Sequence, residues 1–284
     1  MSQNVRAIKS RIGNIENIGQ ITKAMNAIAM TKVTRMKRRL AATRPFIHGL
    51  TDFSQRLIGR LASNEEAHPL TVDNGSSLVG VLVLNADRGL CGRYKGELNR
   101  ESEKLMETYD ANGRLILGGE KARAYYARRD AQILGSYANV YDEPTEAVAT
   151  RMADELISMF ERGEVGRIEL MYMRFMSDLS QKLVVEPFLP VVIEAAQNDD
   201  LLDPEADVML DAALRMLLRA TLYAALIETK TSEDALRRQA MRAATDNADD
   251  LLKGLTRVYN KARQQSITRE IADIIGGAEA LRTK

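Results

Sequence analysis

The sequence is poor in the residues on which most catalytic and ligand sites depend. Its 284 residues include no tryptophan, one cysteine and two histidines, and aromatic residues make up only 5%. One cysteine cannot form an internal disulfide, and together with two histidines it cannot supply the four ligands of a common zinc site. Metal-dependent catalysis, cysteine–histidine catalysis and an aromatic base-stacking platform are therefore disfavoured.

Long apolar runs are also missing. No stretch of eighteen apolar residues occurs, so the sequence predicts no membrane-spanning helix. The N-terminus lacks the charged-then-apolar profile of a secretory signal, and its amphipathic pattern continues past thirty residues, unlike a transit peptide. We expect a cytoplasmic location, with which a single thiol agrees.

Charge is unevenly distributed behind a formal net charge of +1. Residues 1–60 hold twelve Lys and Arg against two acidic residues, and residues 61–230 hold eighteen against twenty-nine. The pattern indicates a strongly basic N-terminal segment beside an acidic middle.

Proline is absent from residues 1–44 and 205–284. Because proline costs a helix interior about 3 kcal/mol, these ends suit long helices. Apolar residues at helical spacing support the N-terminal one, which we expect to continue past Pro45. The predicted stripe is Val5, Ile8, Ile12, Ile15, Ile18, Ile21, Met25, Ile28, Val33, Met36 and Leu40.

The C-terminal stripe predicts a helix of about 110 Å, too long for a compact domain. An antiparallel coiled coil with the N-terminal helix would bury both stripes. Small and polar residues near the seams, such as Thr22 and Asn247, favour one register. The C-terminal stripe comprises Leu210, Leu214, Leu217, Thr221, Ala224, Leu251, Leu255, Val258, Ala262, Ile267, Ile271, Ile274, Ala278 and Leu281.

The middle of the chain alternates short apolar runs with helical patterns, which is typical of an α/β sheet. We predict strands at 78–84, 114–117, 168–175 and 182–185, the last two as a hairpin, and helices at 97–109, 120–129 and 142–162. The predicted fold is α/β plus long α, with a small Rossmann-like domain inserted between the coiled-coil helices. The predicted domains are 1–62, 75–195 and 205–284.

The turn at 85–92 is the one place where a strand, glycines and a helix could hold phosphate. Its glycine spacing fits neither the dinucleotide fingerprint nor the P-loop. We therefore expect Asp87 to cap the following backbone and Cys91 to be a buried thiol. No catalytic constellation and no metal site is predicted.

A basic face on the N-terminal helix suits either nucleic acid or an acidic protein surface. No zinc-finger, helix-turn-helix or aromatic-interleaved signal accompanies it, so the protein surface is favoured. The face consists of Lys32, Arg35, Lys37, Arg38 and Arg39.

Three motifs in order along the chain resemble the gamma subunit of F-type ATP synthases. They are QITKAM at 20–25, DRGLCG at 87–92, and MRAATDNA at 241–248 followed by YNKARQ at 259–264 and ITREI at 267–271. The resemblance implies a non-catalytic rotor shaft inside a ring of three alpha and three beta subunits. Its base would sit with the epsilon subunit on the membrane c-subunit ring, peripheral to the cytoplasmic face of the cell membrane.

The resemblance also implies roles for residues near the C-terminus. Arg263, Gln264, Thr268 and Glu270 would contact loops of the catalytic subunits, where an arginine fork suits a carboxylate. An apolar tip would turn in the sleeve of the ring, since apolar contacts are non-directional; it comprises Ile271, Ile274, Ile275, Ala278 and Leu281. No cofactor is expected on this chain, because ATP, ADP and magnesium would be bound by partner subunits.

Two other functions remain open from the residues alone. A Rossmann-like enzyme with helical extensions would bind a nucleotide near 87–92. A basic coiled-coil protein would bind nucleic acid with a steep dependence on salt.

Overall fold

A computed structural model describes residues 3–61, 67–140, 143–192 and 206–282. Long helices open and close the described chain, and a mixed α/β segment lies between them. In order, the elements are α1 Gln3–Leu61, β1 Val79–Leu84, α2 Tyr94–Tyr109, β2 Gly113–Gly118, α3 Glu120–Tyr126, β3 Ile133–Tyr137, α4 Glu146–Glu161, β4 Arg167–Phe175, β5 Gln181–Leu189 and α5 Ala206–Arg282. The predicted combination of α/β structure with long helices is confirmed.

The two long helices are uninterrupted. Helix α1 has 59 residues and contains Pro45, and helix α5 has 77 residues. The chain divides into two compact units, one formed by residues 29–237 and the other by residues 1–28 with 238–284. Both long helices contribute to both units.

The unit of residues 29–237 is built on a five-stranded sheet in the order β3-β2-β1-β4-β5. Strands β3, β2, β1 and β4 are parallel, and β5 returns antiparallel to β4 as the predicted hairpin. Alternate strand residues point to opposite faces. Leu82 and Ile116 join a core with α4 and α5, while Val81 and Leu115 join a second core with α2 and α3.

Two predictions about this unit are corrected by the structure. Strand β3 was not predicted, because Ile133–Tyr137 carries a glycine and a serine and is half-exposed at the sheet edge, which weakens its apolar signal. The helix expected from residue 142 begins at Glu146, since the side chain of Thr145 accepts a hydrogen bond from the Val148 amide and caps it. Residue 142 lies outside the described part of the chain.

In the other unit, α1 and α5 pack side by side and antiparallel. The hydroxyl oxygens of Thr22 and Thr245 are hydrogen-bonded at 2.8 Å. A Cβ added to Gly19 would lie 3.6 Å from that of Ala248. From the first contacting pair to the second, the residue number rises on α1, from Gly19 to Thr22, and falls on α5, from Ala248 to Thr245. The two helices therefore run in opposite directions.

The apolar stripes predicted for this pair are partly wrong. Ile18, Ile21 and Ile28 are about half exposed or more, as are Leu251 and Val258. The less exposed positions step by three and four on each helix, which is the interval of a packed seam. They include Val5, Ile8, Ile12, Ile15, Gly19, Thr22 and Asn26 on α1, and Met241, Thr245, Ala248, Leu252, Leu255, Tyr259, Ala262 and Ser266 on α5. Gly13, Met25 and Ala244, each next to a position of this row, are also only half-exposed.

The difference has a physical cause. Small residues such as Gly19 and Ala248 let two backbones approach closely, whereas an isoleucine at the same place would hold them apart. The periodicity of apolar residues identifies a helix but does not say which of two apolar faces is covered by its neighbour. On α1 the predicted stripe therefore coincides with the observed seam from Val5 to Ile15 and lies about one residue away from it at Ile18, Ile21 and Ile28. On α5 it coincides at Leu255 and Ala262 and misses at Leu251 and Val258.

Candidate functional site

The turn after β1 is fixed by polar contacts with neighbouring strand ends. The Asn85 amide donates to the carbonyl of Gly118 at 2.8 Å, and its side chain donates to Asn99 at 2.6 Å. The Asp87 carboxylate accepts from the amides of Glu120 at 3.0 Å and Asn139 at 2.9 Å. These two long-range bonds, which the sequence did not predict, tie three loops together at the carboxyl edge of the sheet.

In an open α/β sheet, ligands bind at this edge where the strand order reverses. Here the reversal lies between β1 and β4, and helix α5 occupies it. Ser232 donates to the carbonyl of Met173, two residues before the end of β4, at 2.8 Å. The hydroxyl of Tyr94 lies 3.4 Å from the carbonyls of both Leu84, which ends β1, and Thr229.

Every residue of α5 from 225 to 237 is buried. Leu222, just before this stretch, and Leu226, near its start, belong to the core on one face of the sheet, whereas Leu236, near its end, belongs to the core on the other. The helix therefore crosses the carboxyl edge between the two faces, surrounded by its own chain. We call residues 225–237 the collar segment.

The collar segment carries an unusual density of buried charge. Glu233 and Asp234 are each 1% exposed, and both are paired with Arg237. The Lys230 ammonium lies 3.5 Å from a carboxylate oxygen of each. Two cations thus balance two anions, as burial of ionised groups requires.

Further bonds join the collar segment to other elements. Glu228 pairs with Arg44 of α1 at 3.2 Å and with Arg174 of β4 at 3.6 Å. Arg237 donates to the carbonyl of Gly89 in the turn after β1 at 3.3 Å. Sequence reasoning did not single out this segment. The available signal was four charged residues, 230, 233, 234 and 237, at the spacing of a single helix face.

The thiol and the phenol beside the collar segment are poor acids. Burial raises the pKa of the Cys91 thiol, and the carboxylate of Glu233 raises it further. Burial likewise raises the pKa of Tyr94 well above its usual value. Cys91 is 1% exposed and its sulfur lies 3.7 Å from the carbonyl of Arg88. A neutral, buried thiol is a weak nucleophile.

The predicted basic face lies on α1 within the unit of residues 29–237. Arg35 pairs with Glu143 at 2.7 Å, and Arg39 donates to the carbonyl of Pro144 at 3.3 Å. Lys37 lies 3.6 Å from Asp178 and 5.4 Å from the ring centre of Phe175. Lys32 is half-buried and Arg38 is exposed. Three of the five side chains thus contact this chain's own α/β segment.

The predicted C-terminal contact residues are in the other unit, on helix α5. Arg263, Gln264, Thr268 and Glu270 are all exposed, and the Thr268 hydroxyl donates to the Gln264 carbonyl at 3.0 Å. The tip residues Ile271, Ile274, Ile275 and Ala278 are also exposed, Ile274 at 71%. Leu281 is helical, and its side chain lies outside the described residues.

Comparison with known proteins decides the family. A family model described as ATP synthase matches residues 4–281. The ATP synthase gamma chain of a Picosynechococcus strain is 36% identical over an alignment that covers 98% of this chain and 99% of the relative. That of a Parafrankia strain is also 36% identical and covers 99% of both.

The chain belongs to the ATP synthase gamma chain family. Solved structures share the fold of the family at lower identity. A chain from the Euglena gracilis mitochondrial ATP synthase aligns with a TM-score of 0.67 and 17% identity, over 98% of this chain and 94% of that one. A chain from the Tetrahymena thermophila central stalk and c-ring structure aligns with a TM-score of 0.62 and 19% identity, over 79% of this chain and 99% of that one.

Within the described residues, no helix of this gamma-family chain combines the length and the apolar character needed to span a membrane.

Proposed function

We propose that this chain is the central-stalk rotor subunit of an F-type ATP synthase. It couples proton-driven rotation of the membrane c-subunit ring to conformational change at catalytic sites on the alpha and beta subunits, in synthesis and in reverse hydrolysis. The observation that carries the proposal is the family match across residues 4–281, with relatives aligned over their whole length. An asymmetric shaft biases each site by touching it differently, which is a population shift through differential contact.

The chain has three domains, an N-terminal helix at 1–62, an α/β domain at 75–195 and a C-terminal helix at 205–284. The two helices form the shaft as an antiparallel coiled coil. The contacts of Thr22 with Thr245 and of Gly19 with Ala248 support this pairing, as does the alternating interval of three and four on both helices. A close two-helix pair resists bending better than a single helix, and a shaft that carries torque needs that stiffness.

The apolar residues that face away from the helix pair contact the surrounding subunits. Ile21, Ile28 and Leu251 are each more than half exposed, and such residues on a soluble surface mark interaction sites when they cluster. Ile271, Ile274, Ile275, Ala278 and Leu281 form the bearing at the tip. Apolar contacts lack angular preference, so they hold a turning shaft without fixing its angle.

Arg263, Gln264, Thr268 and Glu270 bind loops of the catalytic subunits. Their exposure on one stretch of α5 leaves the Arg263 guanidinium accessible for a bidentate bond with a carboxylate. We expect Arg263→Ala to lower ATP hydrolysis by the assembled complex at least threefold. Arg257→Ala, at another exposed arginine of α5, is the matched control and should change the hydrolysis rate little. Equal effects of the two would contradict the specific role of Arg263.

The basic face of Lys32, Arg35, Lys37, Arg38 and Arg39 meets acidic surface of the catalytic subunits. Arg38 is the sharpest probe, because Arg35, Lys37 and Arg39 also contact this chain. At 0.2 M salt, we expect Arg38→Glu to weaken assembly of the complex more than Arg38→Gln does. Identical assembly of both variants and the parent would remove this part of the proposal.

The chain itself is non-catalytic and binds no nucleotide or metal, which the partner subunits hold. Supporting this, helix α5 fills the sheet edge where α/β folds bind ligands, through Ser232 and Thr229. Its partners are three alpha and three beta subunits, an epsilon subunit and the c-ring. It lies peripherally at the cytoplasmic face of the cell membrane.

Partner stoichiometry tests the whole proposal. The tagged chain is purified from source membranes in mild detergent, and the subunits are counted by native mass spectrometry. One copy with three copies each of two larger subunits is the expected result. A lone chain or a homo-oligomer, with ATPase activity in other fractions, would refute it. Nucleotide bound by the isolated chain would then favour the Rossmann-like enzyme, and salt-sensitive DNA binding would favour the nucleic-acid protein.

A further inference from the structure

The collar segment of α5 is bonded to the rest of its unit from opposite sides. Successive residues of an α-helix are about 100° apart around the axis. Glu228 and Ser232 are therefore within about 40° of each other, and Arg237 lies about 180° from Glu228. On one side Glu228 meets Arg44 and Arg174 and Ser232 meets Met173; on the other side Arg237 meets Gly89.

Opposed attachments of this kind resist rotation of the helix about its own axis. A hydrogen bond weakens steeply when its angle departs from linearity, whereas an apolar contact tolerates sliding. The upstream part of α5 packs through leucines such as Leu214 and Leu218, which supply burial without angular preference. Arg215 and Arg219 of this upstream part also form ion pairs with Glu161 and Asp154 of α4, but these side chains are 31–43% exposed. The buried directional bonds occur in residues 228–237, where the compact unit ends on this helix at Arg237.

Stability alone does not account for the buried charges. Replacing a buried ionic cluster with well-packed apolar residues is often neutral or stabilising. The cluster is also not optimised for hydrogen bonding, because among the described residues one oxygen of Asp234 and one of Glu228 accept no hydrogen bond. Angular specificity explains what stability does not: turning the helix would move Glu228 from Arg44 and Arg237 from Gly89, leaving buried charges without partners.

We propose that Arg237, held by Glu233 and Asp234, and Glu228, held by Arg44 and Arg174, set the rotational angle of helix α5 against the sheet and transmit torque between them. The inference rests on the proposed rotor function. These are positioning residues, because they act on the catalytic sites only through the shaft. Lys230 completes the charge balance that lets the segment be buried.

The test is a pair of substitutions that removes the bond to the turn after β1 and keeps the net charge. Glu233→Gln with Arg237→Met takes away one anion and one cation and frees the Gly89 carbonyl, while Lys230 still pairs with Asp234. The matched control is Glu120→Gln with Arg123→Met, the same two changes at an exposed ion pair of α3. Ser232→Ala and Arg237→Lys are milder variants that keep the charges of the collar.

Two readouts separate torque transfer from folding. In reconstituted vesicles with uncoupler, we expect the rate of ATP hydrolysis to stay within twofold of the parent for all variants that assemble. Against a proton gradient, we expect the number of protons pumped per ATP to fall at least twofold in the double variant Glu233→Gln with Arg237→Met. In a stalled single-molecule assay, a probe attached through Ala124→Cys on the exposed side of α3 should show at least 1.5-fold wider angular fluctuation. Arg237→Lys should recover part of both.

Each outcome decides the proposal. If the paired variant assembles with parental proton yield and angular width, the inference is wrong. If it fails to assemble, Ser232→Ala and Arg237→Lys provide the same readouts, and their matching the parent overturns it. Failure of the parent chain to assemble with alpha and beta subunits would instead refute the rotor function itself.

Discussion

A single methyl group added at Gly119 should strongly disturb the unit of residues 29–237. Gly119 follows β2 with φ of 92° and ψ of 145°, a conformation essentially reserved for glycine. A Cβ there would lie 2.4 Å from the carbonyl oxygen of Asn85 and 2.9 Å from that of Ala86. Both neighbours are backbone, so neither can move aside by changing rotamer.

The cost of Gly119→Ala follows from these contacts. The backbone conformation alone costs about 1–3 kcal/mol for a residue with a side chain. Relieving the overlap moves the Asn85–Ala86 segment, whose bonds run from the Asn85 amide to Gly118 at 2.8 Å and from the Lys121 amide to Ala86 at 2.9 Å. Weakening those two bonds adds about 0.5–1.5 kcal/mol each. We expect a loss of about 2–6 kcal/mol, against total stabilities of about 5–15 kcal/mol for native domains.

The assay uses the buried thiol of the same unit. Cys91 is shielded in the native chain, so its labelling by a thiol reagent as urea increases reports opening of this unit. Gly119→Ala should move the labelling midpoint to clearly lower urea. The matched control is Gly96→Ala in helix α2, where a Cβ meets nothing within 4 Å and the change should stabilise by about 0.5–1 kcal/mol. If Gly119→Ala shifts the midpoint no further down than Gly96→Ala, the steric argument is wrong.

Three further predictions follow from the burial of Cys91, the burial of Tyr126 and the hydrogen bond between Thr22 and Thr245. In native buffer Cys91 should react with a thiol reagent at least tenfold more slowly than in urea, because burial both shields it and raises its pKa; equal rates would contradict its burial. Burial raises the pKa of Tyr126 from 10.0 to about 12. The free energy of unfolding should therefore fall by about 2 kcal/mol as the pH rises from 10 to 12. Urea unfolding of Tyr126→Phe across that range should show a smaller loss, and the same loss as in the parent would refute this reasoning. A double-mutant cycle of Thr22→Val and Thr245→Val should give a coupling of about 0.5–1.5 kcal/mol, and strict additivity would mean that the 2.8 Å bond does not stabilise the helix pair.

The sequence predicted the elements whose burial pattern is simple. Strand β1 is buried at every residue, and its continuous apolar run marked it clearly. The long helices were predicted from the absence of proline and from periodicity. Strand β3 was missed because it is an edge strand that exposes Ile133, so its composition does not differ from that of a loop.

The candidate site was harder to predict because its residues have ordinary neighbours in sequence. Lys230, Glu233, Asp234 and Arg237 have the spacing of solvent-exposed helical ion pairs, and nothing local indicates that they are buried. Their burial depends on the sheet edge and on α1 reaching the same place through the fold. The same limit applies to Asp87, whose partners Glu120 and Asn139 are distant in the chain.

Helix α5 carries exposed apolar side chains towards its C-terminus and buried charged contacts in the collar segment, and this separation suits a rotating shaft. Towards its C-terminus the exposed side chains include Ile271 and Ile274, whose contacts with a surrounding sleeve would not depend on angle. In the collar segment the contacts are charged, buried and angular, as at Glu228 and Arg237. A shaft must turn freely against its housing and must not turn within its own base, and these two requirements call for opposite contact chemistry. Exchanging apolar and ionic residues between the two regions should therefore impair coupling at both ends, by fixing the shaft in the ring and loosening it in the sheet.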